Sequence, residues 1–391
     1  MREAGDAPSL GPVAPIPLTV LTGFLGAGKT TLLNRLVRDP ALADAAVLIN
    51  EFGEIGLDHL LIEHVRDDGL VMLTTGCLCC TMRGDLVTAL EKLLRDRDNG
   101  RVAFRRVVVE TTGLADPAPI LHTTMAHPYL LMRFRLDGVV TVIDAVNAMA
   151  TLDAHPESVK QAAVADRLVL TKTDLLETAD RQAALERLHA RLSALNPAAP
   201  RLDAARGEAQ PARLLDCGLY DPATKTADVK RWLAEEAYAK PDQHHDHHHD
   251  HHHHHQHAHA HDVNRHGDDI RAFSLATEAA LPASAVDMFL ELLRSVHGPD
   301  LLRLKGVVKL SEEPETPLVV HGIQHLLHPP ARLARWPDDD RRTRLVFIVR
   351  AAAEPKVREL FHAFLSAAAP DRPDRAALVE NPLTPFGGAD R

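Results

Sequence analysis

Six short runs of β-branched and aliphatic residues recur through the first half of the chain: "IPLTVLT" (16–22), "AAVLIN" (45–50), "LVMLTT" (70–75), "RRVVVE" (105–110), "DGVVTVID" (137–144) and "DRLVLTK" (166–172). They are apolar on both faces, so each must be covered on both sides, as buried parallel strands are. Amphipathic stretches such as "KTTLLNRLVRD" and "RGDLVTALEKLLRDRD" lie between them. Strand–helix alternation of this kind predicts an α/β fold, a doubly wound and mostly parallel sheet over residues 16–215.

Composition then changes. From His244 to His261 the sequence "HHDHHHDHHHHHQHAHAH" places thirteen histidines in eighteen positions. Such a segment cannot bury apolar surface and is expected to be disordered, within a linker over residues 216–268. Beyond it, "IRAFSLA", "LLRLKGVVKL", "PLVVHGIQHLLH" and "RTRLVFIVR" read as strands. "LPASAVDMFLELLRSV" reads as a helix with Pro282 near its first turn, and a last helix follows Pro355. The order predicts a smaller α+β domain over 269–370, its sheet covered on one face. Residues 1–15 are expected to be a disordered N-terminus and 371–391 a tail.

With 391 residues, 45% of them hydrophobic, the chain can bury two cores. A formal charge of -10 without a basic stripe speaks against nucleic acid as a partner. The first twenty residues lack the basic and apolar regions of a signal peptide, and no apolar run is long enough to span a bilayer. A cytoplasmic protein without membrane partners is expected.

The first strand runs into "GFLGAGKT", Gly23 to Thr30, which fits the phosphate-loop pattern G-x-x-x-x-G-K-[ST]. Gly23, Gly26 and Gly28 let the backbone bend so that successive N–H groups face phosphate oxygens. Lys29 is expected to bridge the β- and γ-phosphates, and the Thr30 hydroxyl to ligate Mg²⁺. Ala27 and Thr31 complete the expected nucleotide-binding set. The helix that follows aims its positive end at the same anion. The glycines do not fall as G-x-G-x-x-G, which disfavours a dinucleotide site.

Another strand ends in "VVVETTG". Glu110 at its carboxyl end can hold Mg²⁺ through water or orient an attacking water, and Gly113 can offer its N–H to a γ-phosphate. Lys29, Glu110 and Gly113 are therefore the expected catalytic residues. In "VLTKTD", the Asp174 carboxylate can accept from N1 and N2 of guanine while the Lys172 stem covers the base. Thr171 stands where the usual guanine-reading sequence has asparagine. The order of the three elements points to GTP.

Three of the four cysteines crowd into "TTGCLCC". Thiolates are soft ligands suited to Zn²⁺. Cys77, Cys79 and Cys80 converge only if the segment turns, and Gly76 stands where a turn can begin. Adjacent Cys79 and Cys80 are badly placed for an unstrained disulfide. The remaining Cys217 lies far along the chain, so the shell is left open to an exchangeable fourth ligand: Glu54 of "NEFGEIG", His127, or a group on another protein.

"GFLGAGKTTLLN", "NEFGEIGLD", "GCLCC", "ETTGLADP", "VIDA" and "TKTD" follow one another in the order found in the CobW-type metal-chaperone GTPases. These P-loop proteins of the SIMIBI class include zinc-regulated GTPase metalloprotein activators and are related to the nickel-insertion GTPases of hydrogenase and urease. "RLKGVV", "GIQHLLHPP" and "TRLVFI" resemble the CobW C-terminal domain. The resemblance implies slow GTP hydrolysis coupled to delivery of a transition metal, most often zinc, to a client metalloprotein. Cobalt stays open beside zinc because of the family's association with cobalamin synthesis. The histidine tract then reads as a metal store feeding the cysteine turn, or as a polar linker. A non-enzymatic metal buffer or sensor and a small-molecule kinase are the competing functions, and a homodimer is left open. His321, His325 and His328, alternating along an expected strand, read as packing or surface residues.

Overall fold

The computed structural model describes residues 14–50, 61–65, 71–75, 82–176, 178–216, 269–324 and 326–367. The six apolar runs form β1 (Ile16–Gly23), β2 (Ala45–Asn50), β4 (Val71–Thr75), β5 (Arg106–Glu110), β6 (Phe134–Asp144) and β7 (Arg167–Thr171). Two further strands, β3 (Leu61–Val65) and β8 (Arg201–Asp203), flank them in a sheet ordered β3-β4-β2-β5-β1-β6-β7-β8. Among the described strands of this sheet only the β3–β4 pair is antiparallel; the remaining pairs are parallel.

The chain leaves β1 first toward one edge and later toward the other, so the order reverses beside β1. A crevice opens at such a switch point, at the carboxyl ends of the strands. Alternate residues of the central strands face opposite layers: Leu18, Val20, Val107 and Val109 join one apolar cluster, Leu21, Val47, Val108 and Val142 the other. Among the described residues, the helices of this domain are α1 (Lys29–Leu36), α2 (Met82–Asp98), α3 (Ala118–Ala126), α4 (Pro128–Arg133), α5 (Ala148–Ala154), α6 (Pro156–Val164), α7 (Ala179–Leu195) and the short α8 (Pro211–Leu214). Among the described residues, no helix is long and apolar enough to cross a membrane.

The second sheet is antiparallel. It contains β9 (Ile270–Thr277), β10 (Leu301–Val308), β11 (Leu318–Ile323), β12 (Leu326–Leu327), β13 (Ala331–Arg332) and β14 (Thr343–Arg350). Its order is β12-β11-β10-β14-β9, with β13 on β11. Helices α9 (Ala283–His297) and α10 (Glu354–Ala367) lie on one face through Val286, Phe289, Leu293, Val357 and Phe361.

The opposite face was expected to be open, and it is not. Leu302, Val307, Val319, Ile323, Val346 and Ile348 join the core cluster of the first domain's helices, and every residue of β10 is buried. The expected strand "PLVVHGIQHLLH" also divides: it is the tight hairpin β11–β12, with Gln324 at φ 53 between the strands.

A charge cluster is sealed into this interface. Asp166, fully buried between α6 and β7, accepts from the Arg303 guanidinium and from Lys305 Nζ at 3.0 Å, and Arg303 also donates to Val164 O. Burial pushes the Asp166 carboxyl up, but the charges of Arg303 and Lys305 outweigh it and hold the pKa below the ordinary range. Burial and Arg303 push Lys305 down to about 8. His321 and His328 stack beside them, ring centroids 4.8 Å apart, and the backbone N–H of His328 donates to His321 O at 2.9 Å. These two histidines pack inside the interface, one on β11 and one beyond β12, not along one strand.

Candidate functional site

The phosphate loop owes its shape to three glycines in backbone conformations that other residues rarely adopt. Gly23, Gly26 and Gly28 have φ of 144, 71 and 91. A Cβ on Gly23 would lie 2.3 Å from the Val142 carbonyl of neighbouring β6, so both conformation and space demand glycine there. Gly28 caps α1, whose first turn presents backbone N–H groups to the loop.

Lys29 is buried, and its ammonium folds back to donate to Gly23 O at 2.9 Å and Phe24 O at 3.1 Å. Burial lowers its pKa from the usual lysine value, with the Glu110 charge opposing. Thr30 Oγ1 donates to Glu110 Oε1 at 2.8 Å, which ties the loop to the end of β5.

Glu110 itself is 4% exposed. After it the chain turns hard against the loop. Thr111 N–H donates to Leu21 O at 2.9 Å and Thr111 Oγ1 to Thr22 Oγ1 at 2.8 Å. At Gly113 a Cβ would lie 2.5 Å from Leu25 N. This turn and the phosphate loop are thus packed backbone to backbone. Gln161 of α6, 1% exposed, donates to Gly113 O at 3.3 Å and Ala115 O at 3.0 Å from behind. The sequence pattern does not single out Gln161, whose only signal is an amide inside the apolar stretch "QAAVA".

The third element meets the loop from the other side. Thr171 Oγ1 donates to Ala27 O at 2.7 Å and to Ile143 O at 3.2 Å. The threonine in the asparagine position therefore carries a tether from β7 to the phosphate loop. Lys172 follows at φ 60, and its Nζ pairs with Asp144 Oδ2 at 2.7 Å. Burial works to raise the Asp144 pKa, but hydrogen bonds from Lys172, Asn147 and the Val146 N–H leave it below the usual value. Asp174 is exposed on a single 3₁₀ turn, Thr173–Leu175. Beside the loop, a cavity of about 230 Å³ is lined by Phe24, Leu25, Asp144, Asn147, Thr151 and Gln161 among others.

This geometry brings Gly23, Gly26, Ala27, Gly28, Lys29, Thr30, Glu110, Gly113 and Lys172 to one edge of one sheet. Glu54, Cys77, Cys79, Cys80 and the histidine tract lie outside the described residues, and so does Cys217. The roots of two of those segments are defined. In the sheet Ile49 is level with Glu110, and Asn50 with Thr75. The segment after Asn50 and the one after Thr75 thus leave from the carboxyl edge that holds Glu110. His127 does not share that edge: α3 carries the chain away from it, and α4 then delivers it to the amino end of β6. Among the described residues no group of three or more His, Cys, Asp or Glu can hold a metal ion.

The family model described as "CobW/HypB/UreG, nucleotide-binding domain" matches residues 17–203. A second, "Cobalamin synthesis protein cobW C-terminal domain", matches 270–365. The chain is 33% identical over 350 residues to the zinc chaperone YjiA of Escherichia coli, covering 89% of this chain and 98% of that one. It is 42% identical over 170 residues to the zinc-regulated GTPase metalloprotein activator 1 of Schizosaccharomyces pombe, covering 42% of this chain and 40% of that one. The crystal structure of Zn(II)-bound YjiA GTPase from E. coli superposes with a TM-score of 0.65 at 29% identity, over 90% of this chain and 99% of that one.

Proposed function

Given that the chain belongs to the CobW/HypB/UreG family and carries a CobW C-terminal domain, we propose that it is a GTP-hydrolysing zinc metallochaperone. The observation that carries this reading is the Thr30–Glu110 hydrogen bond of 2.8 Å. It joins the loop that cradles phosphates to the end of β5, in a sheet where β4, two strands away from β5, leads toward Cys77, Cys79 and Cys80.

Thr30 Oγ1 and the Glu110 carboxylate are hard oxygen donors, the set that suits Mg²⁺. When bound, that ion would neutralise charge on the β- and γ-phosphates. Lys29 releases the carbonyls of Gly23 and Phe24 to meet those phosphates. Gly113 offers its N–H to the γ-phosphate, and Glu110 orients the attacking water. Asp174 reads guanine, Lys172 covers the base, and Thr171 keeps both in register with the loop. Zinc is the cargo. Cys77, Cys79 and Cys80 hold it, Glu54 fills the fourth position as an exchangeable ligand, and a client metalloprotein takes the metal by displacing it. The relatives named as zinc chaperones support zinc as the metal.

The test is zinc titration of the purified protein with a GTP analogue and with GDP, alongside phosphate release from GTP. A zinc affinity that differs about tenfold between the two states corresponds to about 1.4 kcal/mol of coupling. Equal affinities in both states, or a phosphorylated small molecule in place of free phosphate, refute the reading.

A further inference from the structure

The turn after Glu110 is gripped from two sides, and one grip comes from the second sheet. From within its own domain, Gln161 holds the carbonyls of Gly113 and Ala115. From the other, Gln324 Nε2 donates to both oxygens of Asp116, at 3.0 and 3.2 Å, where Lys160 Nζ also approaches to 3.3 Å. Asp116 stands three residues after Gly113 and fixes the start of α3 by accepting from Ala118 N–H at 3.0 Å.

Gln324 occupies the turn of the β11–β12 hairpin at φ 53, left-handed backbone that asparagine and glycine adopt far more readily than glutamine. Its N–H is anchored to Leu302 O of β10 at 3.1 Å. Glutamine at such a position gives up backbone comfort, and the extra methylene is what lets its amide reach the other domain. Helix α6 makes the same span in parallel. Gln161 touches the turn, while Val164 O and Asp166 just past its end receive Arg303 of β10.

We propose that Gln324 is a positioning residue for GTP hydrolysis supplied by the C-terminal sheet. Through Asp116 it sets how Gly113 lies against Leu25. In the reverse direction, capture of a γ-phosphate at Gly113 shifts the turn that leads to Asp116, and the Gln324–Asp116 contact carries that shift to the β11–β12 hairpin. The C-terminal domain is thereby told which nucleotide is bound. The proposal rests on the GTPase reading above.

Gln324→Asn in the full-length protein separates positioning from folding. Asparagine suits φ 53, so the melting temperature is expected to hold or rise, while the amide falls one methylene short of Asp116. Turnover with saturating GTP and Mg²⁺ is expected to drop about tenfold, since misplacement by a fraction of an ångström has effects of that order. The KM for GTP and the affinity for GDP should stay within about twofold, because the side chain does not touch the nucleotide. In the wild-type protein, hydrogen exchange across residues 318–323 is expected to differ between the GTP-analogue and GDP forms, and Gln324→Asn should erase the difference. Wild-type turnover in the variant, or equal exchange of the wild-type hairpin in both nucleotide states, overturns the proposal. If the wild-type protein binds GTP yet releases no phosphate, the hydrolase reading fails, and the exchange measurement still decides the coupling.

Discussion

Replacing Gly113 by alanine adds one methyl group at the closest approach in the site. The new Cβ would stand 2.5 Å from Leu25 N, 2.6 Å from Leu25 Cα and 2.7 Å from Leu25 Cδ2, where ordinary contact begins at 3.4 Å. The leucine side chain can rotate away, but the backbone atoms cannot. Turn and phosphate loop must therefore part by the difference between 3.4 and 2.5 Å, about 0.9 Å. The turn is pinned by Thr111 to Leu21 and Thr22 and by Gln161, so part of the shift falls on the loop that binds the phosphates. A misplacement of about 1 Å costs roughly 100-fold in rate, or about 2.7 kcal/mol of barrier. We expect Gly113→Ala to lose that much in GTP turnover and to bind GTP analogues more weakly. GDP has no γ-phosphate to place at Gly113, and its affinity should change by less than about threefold. Overpacking of about 1–3 kcal/mol lowers the melting temperature without unfolding the protein at 25 °C. Phosphate release at saturating GTP, GDP titration and a melting curve make the assay. A variant that turns over GTP at the wild-type rate would refute the idea that this backbone approach places the γ-phosphate.

Two further outcomes concern the interface between the sheets. Asp166→Asn leaves Arg303 and Lys305 buried without their carboxylate, and breaking a buried pair of this kind costs about 3–5 kcal/mol; chemical denaturation should show the loss, with the two sheets unfolding in separate steps. Burial lowers His328 to about 4, against the attraction of Asp166, so the folded state holds the ring neutral while the unfolded chain takes up the proton near the ordinary value of 6.5. That contribution is complete above the unfolded value and disappears as pH falls through the folded one. It amounts to about 3 kcal/mol for a shift of this size. Stability measured from pH 7 to 4 should fall accordingly, and His328→Leu should flatten the slope.

The six central strands were legible because each is apolar on both faces, a pattern that only a covered parallel sheet explains. Its two flanking strands were not. "LIEHV" mixes polar and apolar positions, and "RLD" is three residues long. The phosphate loop, Glu110, Gly113 and Lys172 could be read from spacing because their chemistry demands particular residues at particular intervals. Thr171 looked like a departure from the guanine-reading pattern, and only its bond to Ala27 O reveals a function in place of a loss. Asp166, Gln161 and Gln324 could not be read at all. Each is a polar residue at the border of an apolar run, and its meaning comes from residues more than forty positions away. The hairpin at Gln324 carries none of the Asn-Gly or Asp-Gly signals that announce a two-residue turn.

The proposed coupling of nucleotide to metal can be weighed against the sheet that would transmit it. Strands β5, β2 and β4 are consecutive neighbours. With about 4.8 Å between adjacent strands, the end of β4 that leads to Cys77 lies roughly 10 Å across the sheet from the strand end that carries Glu110. The segment after Asn50 leaves from the strand between them. A γ-phosphate that draws on that segment acts next to both neighbours at once, with no long relay. The demand on it is small. A tenfold change in zinc affinity needs about 1.4 kcal/mol, and one hydrogen bond to a charged group is worth about 1.5–3 kcal/mol. A single hydrogen bond that is made in one nucleotide state and broken in the other is therefore enough to drive release. The bond from Thr30 to Glu110 is the natural one to change, because both partners are residues that the γ-phosphate and its Mg²⁺ would claim.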